Sequence, residues 1–285
     1  TNGCREYICS IETGLLLRER FGNNLNLKTI DYDKNFLIKG IKFSLHPSGH
    51  ILGSSQIKIN AGSEVWLITG DLKRQKDKTC KSYKKLKTDF LICESTFALP
   101  IFNWEPTQKI IDNITKWVFQ NEDSTSILFC YSLGKAQRLL SELSTHNLKN
   151  IYVHKSIYNM NLTYKNLGIV LEEAKIFNND LEINKLKDCL LLLPPSLNNN
   201  KFLKKFKRVQ TGFASGWMSI RALKKRSGYD KGFTISDHAD WKGLIKTIKE
   251  SEAKKVFLNH GDGEYLAKFL RDKEDLNIKQ LNEIK

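Results

Sequence analysis

Three of the six histidines in this chain follow short apolar runs or glycine-marked turns: His50, His238 and His260. His50 lies in the turn Pro-Ser-Gly-His, and His260 follows the apolar run that ends at Leu258. Asp71 comes after another apolar run and Gly70. Zn²⁺ accepts imidazole nitrogen and carboxylate oxygen as ligands, and a carboxylate can bridge two metal ions. Each residue alone more often caps a turn, so the hypothesis of a metal site requires that they meet.

A second pair of residues could perform acid–base chemistry. Glu94 ends the apolar run 90–93, and His238 is flanked by Asp237 and Asp240. A carboxylate at a buried strand end can orient a histidine, which then donates a proton to a leaving oxygen. The structural alternatives are a helix cap after Glu94 and an N-cap at Asp240.

The elements that position these residues fall into two patterns. Residues 11–21 read as a helix closed by Gly22, and alternating runs that predict strands follow at 36–39, 41–46, 56–60, 65–69 and 90–93. From Pro106 onward, strands alternate with helices, as in a parallel sheet. After Gly232 the first pattern returns, with a strand predicted at 233–235. The interpretation is an α/β protein: a sheet-rich domain, 1–97 and 231–285, interrupted by an α/β insertion, 98–230.

The net charge and the cysteine content limit which binding partners and which cellular compartment are expected. The net charge is +15, which favours a polyanion such as nucleic acid, although a biased genome can impose lysine without function. The six cysteines form no Cys-x-x-Cys pair, which is typical of a reducing cytosol. No signal peptide or membrane-length apolar stretch appears, so a cytoplasmic protein without a membrane partner is expected.

Five ordered motifs carry a family resemblance. They are Pro-Ser-Gly-His-Ile-Leu-Gly-Ser, Thr-Gly-Asp, Cys-Glu-Ser-Thr-Phe, Ser-Asp-His-Ala-Asp and Asn-His-Gly. Together they resemble the β-CASP branch of the metallo-β-lactamase superfamily. The segments 97–100, 133–138 and 212–218 are similar to the bacterial ligase-associated DNA exonucleases, also called mRNA 3′-end processing factors. The resemblance covers essentially the whole chain and implies a metallo-β-lactamase αββα sandwich, truncated at its N-terminus, with an inserted β-CASP domain.

The resemblance also implies a reaction and its residues. His50 and His260 would ligate zinc, and Asp71 would bridge two Zn²⁺ ions, with Mn²⁺ as an alternative metal. A metal-bridging hydroxide would hydrolyse the phosphodiester. Glu94 would orient His238, which would act as general acid on the leaving group.

Further residues would contact the nucleic acid. Lys135 opens a helix after a glycine turn, and helix N-termini suit anions in any fold. By resemblance, Ser236 would hold a phosphate, and Arg138 and Arg221 would contact the backbone; a solvated basic helix face is the alternative. The implied partners are DNA, with RNA as the alternative, and a DNA ligase and a helicase by functional association.

One family element is missing from the chain. The motif His-x-His-x-Asp-His, which supplies most of the family's metal ligands, does not occur in this sequence. We expect truncation, because a degenerated paralogue should also have lost some of the five site residues. This chain should then bind zinc weakly and cleave poorly. The alternatives to a DNA exonuclease are an RNA 3′-end processing nuclease and a non-catalytic nucleic-acid-binding remnant.

Overall fold

The computed structural model describes residues 4–121, 123–146, 148, 150–178, 183, 186–226, 228–274 and 276–281. The chain divides into two compact units. The first comprises Thr1–Asn103 and Asp237–Lys285, and the second comprises Trp104–Ser236. The domain borders predicted from the sequence are 97/98 and 230/231. Each lies a few residues before the corresponding border in the structure, 103/104 and 236/237.

The first part of the chain contributes most strands of the first unit. In order, its elements are β1 Tyr7–Ser10, α1 Ile11–Phe21, β2 Leu27–Ile30, β3 Asn35–Ile38, β4 Ile41–Pro47, β5 Ser55–Ala61, β6 Glu64–Ile68 and β7 Phe90–Glu94. The second unit follows with α2 Thr107–Phe119, β8 Thr125–Phe129, α3 Lys135–Leu143, β9 Ile151–Val153, α4 Lys155–Asn166, β10 Lys175–Ile176, β11 Cys189–Leu193, α5 Asn200–Leu203, β12 Val209–Ala214, α6 Arg221–Arg226 and β13 Lys231–Phe233. The first unit ends with α7 Trp241–Ser251, β14 Lys255–Asn259, α8 Glu264–Glu274 and β15 Ile278–Gln280.

A seven-stranded sheet organises the first unit, in the order β15-β14-β7-β6-β5-β4-β3. β15, β14, β7 and β6 are parallel neighbours, whereas β6, β5, β4 and β3 pair antiparallel. β4 therefore runs in the same direction as β6, β7 and β14. The carboxyl ends of these four strands all lie at one edge of the sheet, which is where a mixed α/β sheet usually binds ligands.

The second unit contains a six-stranded sheet in the order β10-β9-β11-β8-β12-β13. Every neighbouring pair is parallel. Parallel strands covered on both faces read as continuous apolar runs, and all five residues of β11 are buried. The mixed α/β class predicted from the sequence is therefore confirmed.

Local signals explain which elements were predicted. α1 begins and ends as expected, with the Thr13 amide donating to Ser10 Oγ and the Gly22 amide donating to the Arg18 carbonyl. The N-cap at Asp240 is also confirmed, because its carboxylate accepts from the Gly243 amide at 2.8 Å.

Three predictions at element level were incomplete or wrong. The strand predicted at 233–235 lies at Lys231–Phe233, where it pairs with β12. β2 was not predicted, and α4 was expected only as one of the helices that alternate with strands after Pro106, without bounds, since neither element carries a clear periodic pattern. The charge of the tail from Lys273 onward predicts a peripheral segment, and this prediction is wrong, because Ile278 on β15 is buried against the core of the first unit. None of the described helices has the length and apolar character needed to cross a bilayer.

Candidate metal centre

The carboxyl ends of four strands in the first unit bring the predicted chemistry together. His50 follows β4, Asp71 follows β6, Glu94 ends β7, and His260 follows β14. Because these strands point the same way, their final residues project from one edge of the sheet. A pocket of about 180 Å³ at this edge is lined in part by Asp71, Glu94 and His260.

Asp71 lies between two imidazoles. Its Oδ2 atom is 3.7 Å from His50 Nε2, and its Oδ1 atom is 3.8 Å from His260 Nε2. Both distances exceed a direct hydrogen bond. Two ligand atoms on one tetrahedral zinc, each about 2.1 Å from the metal, lie about 3.4 Å apart. The carboxylate therefore faces each histidine at nearly the separation that two ligands of a shared cation would adopt.

The protonation of His50 suits a metal ligand. Its Nδ1 atom lies 2.8 Å from the carbonyl of Asp237, and a carbonyl can only accept, so Nδ1 carries the proton. Burial lowers the pKa of His50, and the neighbouring His238 lowers it further. The neutral ring then presents the Nε2 lone pair to the carboxylate of Asp71. Two electron-rich groups that face each other with no proton between them fit a cation, and the carbonyl contact is the usual support for a metal-bound histidine.

Glu94 and His238 form the pair predicted from the sequence. His238 Nδ1 lies 2.8 Å from Glu94 Oε2. The buried carboxylate also accepts from the Leu72 amide at 2.5 Å and from Thr96 Oγ1 at 2.6 Å. Burial lowers the pKa of His238, but the hydrogen bond and charge of Glu94 outweigh it, so the net shift is upward. The imidazolium is thereby stabilised, as a general acid requires.

His238 also lies close to the candidate ligands. Its ring centroid is 4.6 Å from that of His50. Within the part of the chain that the structure describes, donor atoms of His50, Asp71 and His238 all lie within 4.8 Å of one another. Geometry alone thus allows His238 to act as a ligand or as an acid, whereas its raised pKa favours the acid.

A buried lysine that was not predicted from the sequence connects the His50 loop to the segment around Asp237. Lys73 Nζ donates to the His50 carbonyl at 2.8 Å and to Asp77 Oδ2 at 2.5 Å, and lies 3.7 Å from Asp237 Oδ1. The side chains of Lys73 and Asp77 are only 1% and 3% exposed. Lys73 therefore braces the His50 loop against the segment whose carbonyl fixes the tautomer of His50. The available signal was a lysine two residues after Asp71 with an aspartate four residues later.

Two glycines let the site loops approach their neighbours. Gly49 has φ +76°, and a Cβ there would lie 2.5 Å from the Lys73 carbonyl oxygen. Gly261 has φ +139°, and its Cβ would collide with the carbonyl of Ser95. Only glycine allows these close contacts, which hold His50 and His260 near the ends of β6 and β7.

The predicted nucleic-acid contacts lie in the second unit, and most are covered. Lys135, Arg138 and Ser236 are buried, whereas Arg221 is exposed. Arg138 donates to the Ser236 carbonyl at 2.6 Å and to Thr107 Oγ1 at 2.7 Å, so it ties together parts of its own unit. In this conformation only Arg221 of the four offers its side chain openly to a nucleic acid.

Comparisons with known proteins complete the description of the site. No family model matches the chain. A probable DNA ligase of Opitutus terrae is 27% identical over 94% of this chain and 26% of its own length. Endoribonuclease YSH1 is 32% identical in Yarrowia lipolytica, over 40% of this chain and 14% of the relative, and 29% identical in Candida albicans, over 55% and 19%. The chain therefore spans about a quarter or less of the length of these relatives.

These relatives confirm the predicted resemblance to the β-CASP nucleases. A solved structure of a protein of unknown function from Enterococcus faecalis matches 96% of this chain and 73% of its own, with a TM-score of 0.63 and 13% identity. At that identity the match concerns the fold alone.

Proposed function

We propose that this chain carries part of the active site of a metal-dependent nuclease that hydrolyses phosphodiester bonds. The observation that supports the proposal most strongly is the position of Asp71 between His50 and His260, with the His238–Glu94 pair beside them. The β-CASP resemblance adds a family in which such residues serve phosphodiester hydrolysis. We also propose for the first unit the metallo-β-lactamase sandwich, and for the second unit the β-CASP insertion.

The donor set determines the metal chemistry. His50, His260 and Asp71 would hold divalent cations, with Zn²⁺ as the leading choice and Mn²⁺ as the alternative. When bound, such a cation would supply Lewis-acid stabilisation to the phosphoryl oxygens and would lower the pKa of a water molecule. Since this chain offers few ligands, we expect weak metal binding.

The role of His238 follows from its contact with Glu94. The buried carboxylate holds Nδ1, so the ring can present a protonated Nε2 to the leaving oxygen of a phosphodiester. Proton donation to that oxygen stabilises the departing alkoxide, and a correctly placed acid contributes about 10²–10⁴-fold to the rate.

DNA is the proposed substrate, with action as an exonuclease in repair beside a ligase and a helicase. The similarity to a protein named a probable DNA ligase, over 94% of this chain, supports DNA. RNA is the second candidate, since the YSH1 relatives are named endoribonucleases.

A cleavage assay tests the proposal. The chain is incubated with 5′-labelled DNA and RNA strands of one sequence, in excess Zn²⁺ or Mn²⁺ or in EDTA. We expect slow, metal-dependent cleavage, with DNA preferred. His238→Ala should reduce the rate at least about 100-fold and leave the metal affinity unchanged.

The variant separates the two readings of His238. If metal affinity falls together with the rate, His238 is a ligand, and the assignment as acid is wrong. Cleavage of neither strand at saturating metal, or cleavage unaffected by His238→Ala, would contradict the proposed reaction.

A further inference from the structure

The loop that carries His50 is anchored by the peptide unit next to the histidine. The His50 carbonyl accepts from Lys73 Nζ at 2.8 Å, and the amide of the same peptide unit, on Ile51, donates to Ser54 Oγ at 3.1 Å. The Ser54 amide donates in turn to the Ile51 carbonyl at 3.1 Å, so residues 51–54 form a closed turn directly after the histidine. Groups that hold this turn therefore also limit how far the imidazole can move.

The N-terminal end of α1 holds the closed turn. Ser10 Oγ donates to the Gly53 carbonyl at 2.7 Å, and Thr13 Oγ1 donates to the same oxygen at 2.8 Å. Ser55 Oγ adds a longer contact to this oxygen, at 3.1 Å. A carbonyl oxygen has two lone pairs, so the two hydroxyls from α1 are enough to satisfy it. Ser10 is 1% exposed, which leaves water little chance to compete for its hydroxyl.

Ser10 also caps the helix that holds the loop. Its Oγ atom accepts from the Thr13 amide at 3.1 Å while it donates to the Gly53 carbonyl, so one hydroxyl fixes the start of α1 to the loop. β1 and β2, which flank α1 along the chain, pair only with each other among the described strands, and a two-stranded sheet alone has little stability. This part of the first unit is therefore held in place by contacts other than strand pairing, and these hydrogen bonds are one set of them.

Gly53 lets the loop and the helix approach each other. Its φ is +79°, and a Cβ atom at this position would lie 2.5 Å from both the amide nitrogen and the Oγ1 atom of Thr13. The next carbonyl of the loop is held in a similar way, since Tyr32 Oη donates to the Ser54 carbonyl at 3.0 Å. Two successive carbonyls of the loop therefore accept from hydroxyl groups of the segment 10–32.

We infer that Ser10 and Thr13 are positioning residues of the candidate metal centre. Their hydroxyls hold the Gly53 carbonyl, and the closed turn transmits this restraint to His50, whose Nε2 atom stays directed at Asp71. The inference rests on the proposed function and extends it to residues outside the proposed ligand set. A ligand that is held in place before the cation arrives loses less conformational freedom on binding, which raises the metal affinity.

The first test needs no metal. The Nδ1 proton of His50 is bonded to the Asp237 carbonyl, so in EDTA its NMR signal in the ¹⁵N-labelled full chain should exchange with water only when the loop opens. Thr13→Val removes one hydroxyl and leaves the N-cap of α1 in place. One lost hydrogen bond should speed this exchange about fivefold. Thr13→Ser keeps a hydroxyl at this position and should restore the wild-type rate.

Thr88→Val is the matched control for the lost hydroxyl. Thr88 Oγ1 also donates to a carbonyl, that of Val65 at 2.7 Å, but this contact lies before the amino end of β7, at the opposite end of the strand from Glu94. The two valine variants should lose similar stability in urea. Only Thr13→Val should speed the exchange of the His50 proton, because only this variant loosens the loop.

A Zn²⁺ titration followed by the same His50 signal measures the consequence for the metal. Gly53→Ala should lower the Zn²⁺ affinity about tenfold, because the added Cβ atom pushes the loop away from α1. Gly62→Ala is its control, since Gly62 has a φ of +62° and nothing lies within 4 Å of the added Cβ atom. It should leave the affinity unchanged. Thr13→Val added to Gly53→Ala should cause little further loss, because both changes break the same contact.

The outcomes separate the inference from the proposed function. Faster exchange in Thr13→Val and not in Thr88→Val supports the positioning role even if no variant binds Zn²⁺, and in that case the metal proposal fails alone. Equal exchange in the two valine variants would overturn the inference, as would fully additive losses of Zn²⁺ affinity from Thr13→Val and Gly53→Ala. Zn²⁺ binding to the wild type would then support the metal proposal without a role for α1.

Discussion

Histidine–aspartate pairs occur in three places in the described structure, and they are built in two ways. In the first unit His46 makes a direct hydrogen bond to Asp33, and in the second unit His146 Nε2 lies 2.9 Å from Asp112 Oδ1. In each of these pairs a proton lies between the imidazole nitrogen and the carboxylate oxygen, so no cation is required between them. At Asp71, by contrast, both carboxylate oxygens stand 3.7–3.8 Å from an imidazole nitrogen.

The difference lies in what surrounds each pair. His46 also contacts Ser44 Oγ at 2.9 Å, a chain with the connectivity of a hydrolytic triad, but Ser44 is buried and cannot meet a substrate. At the candidate metal centre His50 is held by the Asp237 carbonyl, so it cannot turn to close the gap to Asp71. A histidine and an aspartate that neighbouring groups hold apart indicate a site for a cation. A histidine and an aspartate that hydrogen-bond directly, here called a closed pair, indicate a structural role.

The largest effect should follow from removing the brace under the site. Lys73→Met removes the cation that pairs with the buried Asp77 carboxylate, which keeps its hydrogen bonds from Thr79. Removing one partner of a buried ion pair costs about 3 kcal/mol or more. Urea unfolding measures this loss. The two site loops would also lose their connection, so metal affinity should fall about 10–100-fold.

The adjacent residue supplies the control for the brace. Arg74 Nη2 pairs instead with Glu250 of α7, at 2.7 Å. Arg74→Met should cost about 1 kcal/mol or less and leave metal affinity unchanged. Equal losses of metal affinity in the two variants would show that Lys73 has no special role.

Glu94→Ala should give the next largest loss of stability. It leaves the donors of Leu72, Thr96 and His238 without their acceptor in a buried place, at a cost of about 2–3 kcal/mol in urea unfolding. Glu94→Gln keeps one acceptor oxygen and should cost less. If both variants unfold at the wild-type urea concentration, the buried hydrogen-bond network at Glu94 does not stabilise the fold.

A smaller effect is expected for the His46–Asp33 pair, which should make the free energy of unfolding depend on pH. Burial lowers the pKa of His46, although Asp33 partly opposes the shift, so the unfolded chain binds a proton more readily than the folded one. The stabilisation from neutral His46 is therefore present above its unfolded pKa of about 6.5 and is lost as the pH falls below it. His46→Gln should lose less stability than the wild type between pH 7 and pH 5. A difference between the two proteins that stays constant with pH would contradict this.

The smallest effect is expected at the exposed pair of the second unit. The hydrogen bond from His146 lowers the pKa of Asp112, but the carboxylate lies at the surface, where solvent screens the pair. Asp112→Asn should leave both the urea midpoint and the metal affinity unchanged. A lower metal affinity in this variant would mean that any His–Asp pair binds the cation, and the contrast with Asp71 would disappear.

The sequence predicts those parts of the site that depend on strand ends. His50, Asp71, Glu94 and His260 follow apolar runs, and strands that point the same way bring such residues to one edge of a sheet. The cap at Asp240 was predictable for a similar reason, since it depends on residues three apart.

Burial in three dimensions was not predictable from local patterns. For Lys73 the nearby Asp77 was a signal, but the contacts to the His50 loop and to Asp237 come from distant segments. Nothing in the neighbours of Arg138 along the chain reveals that it is enclosed by Thr107 and the Ser236 carbonyl. β15 was missed because its only strong apolar position, Ile278, lies in a charged tail. Long-range contacts decide these cases, and a local pattern carries no information about them.

The position of Asp71 is best tested by calorimetric titration of the chain with Zn²⁺, in the wild type, in Asp71→Asn and in the control Asp112→Asn. We expect weak but measurable Zn²⁺ binding in the wild type and the control. Asp71→Asn should lose more than about 100-fold in affinity, which exceeds the loss that removing a supporting residue produces. Undiminished binding in Asp71→Asn would contradict a metal centre at this carboxylate.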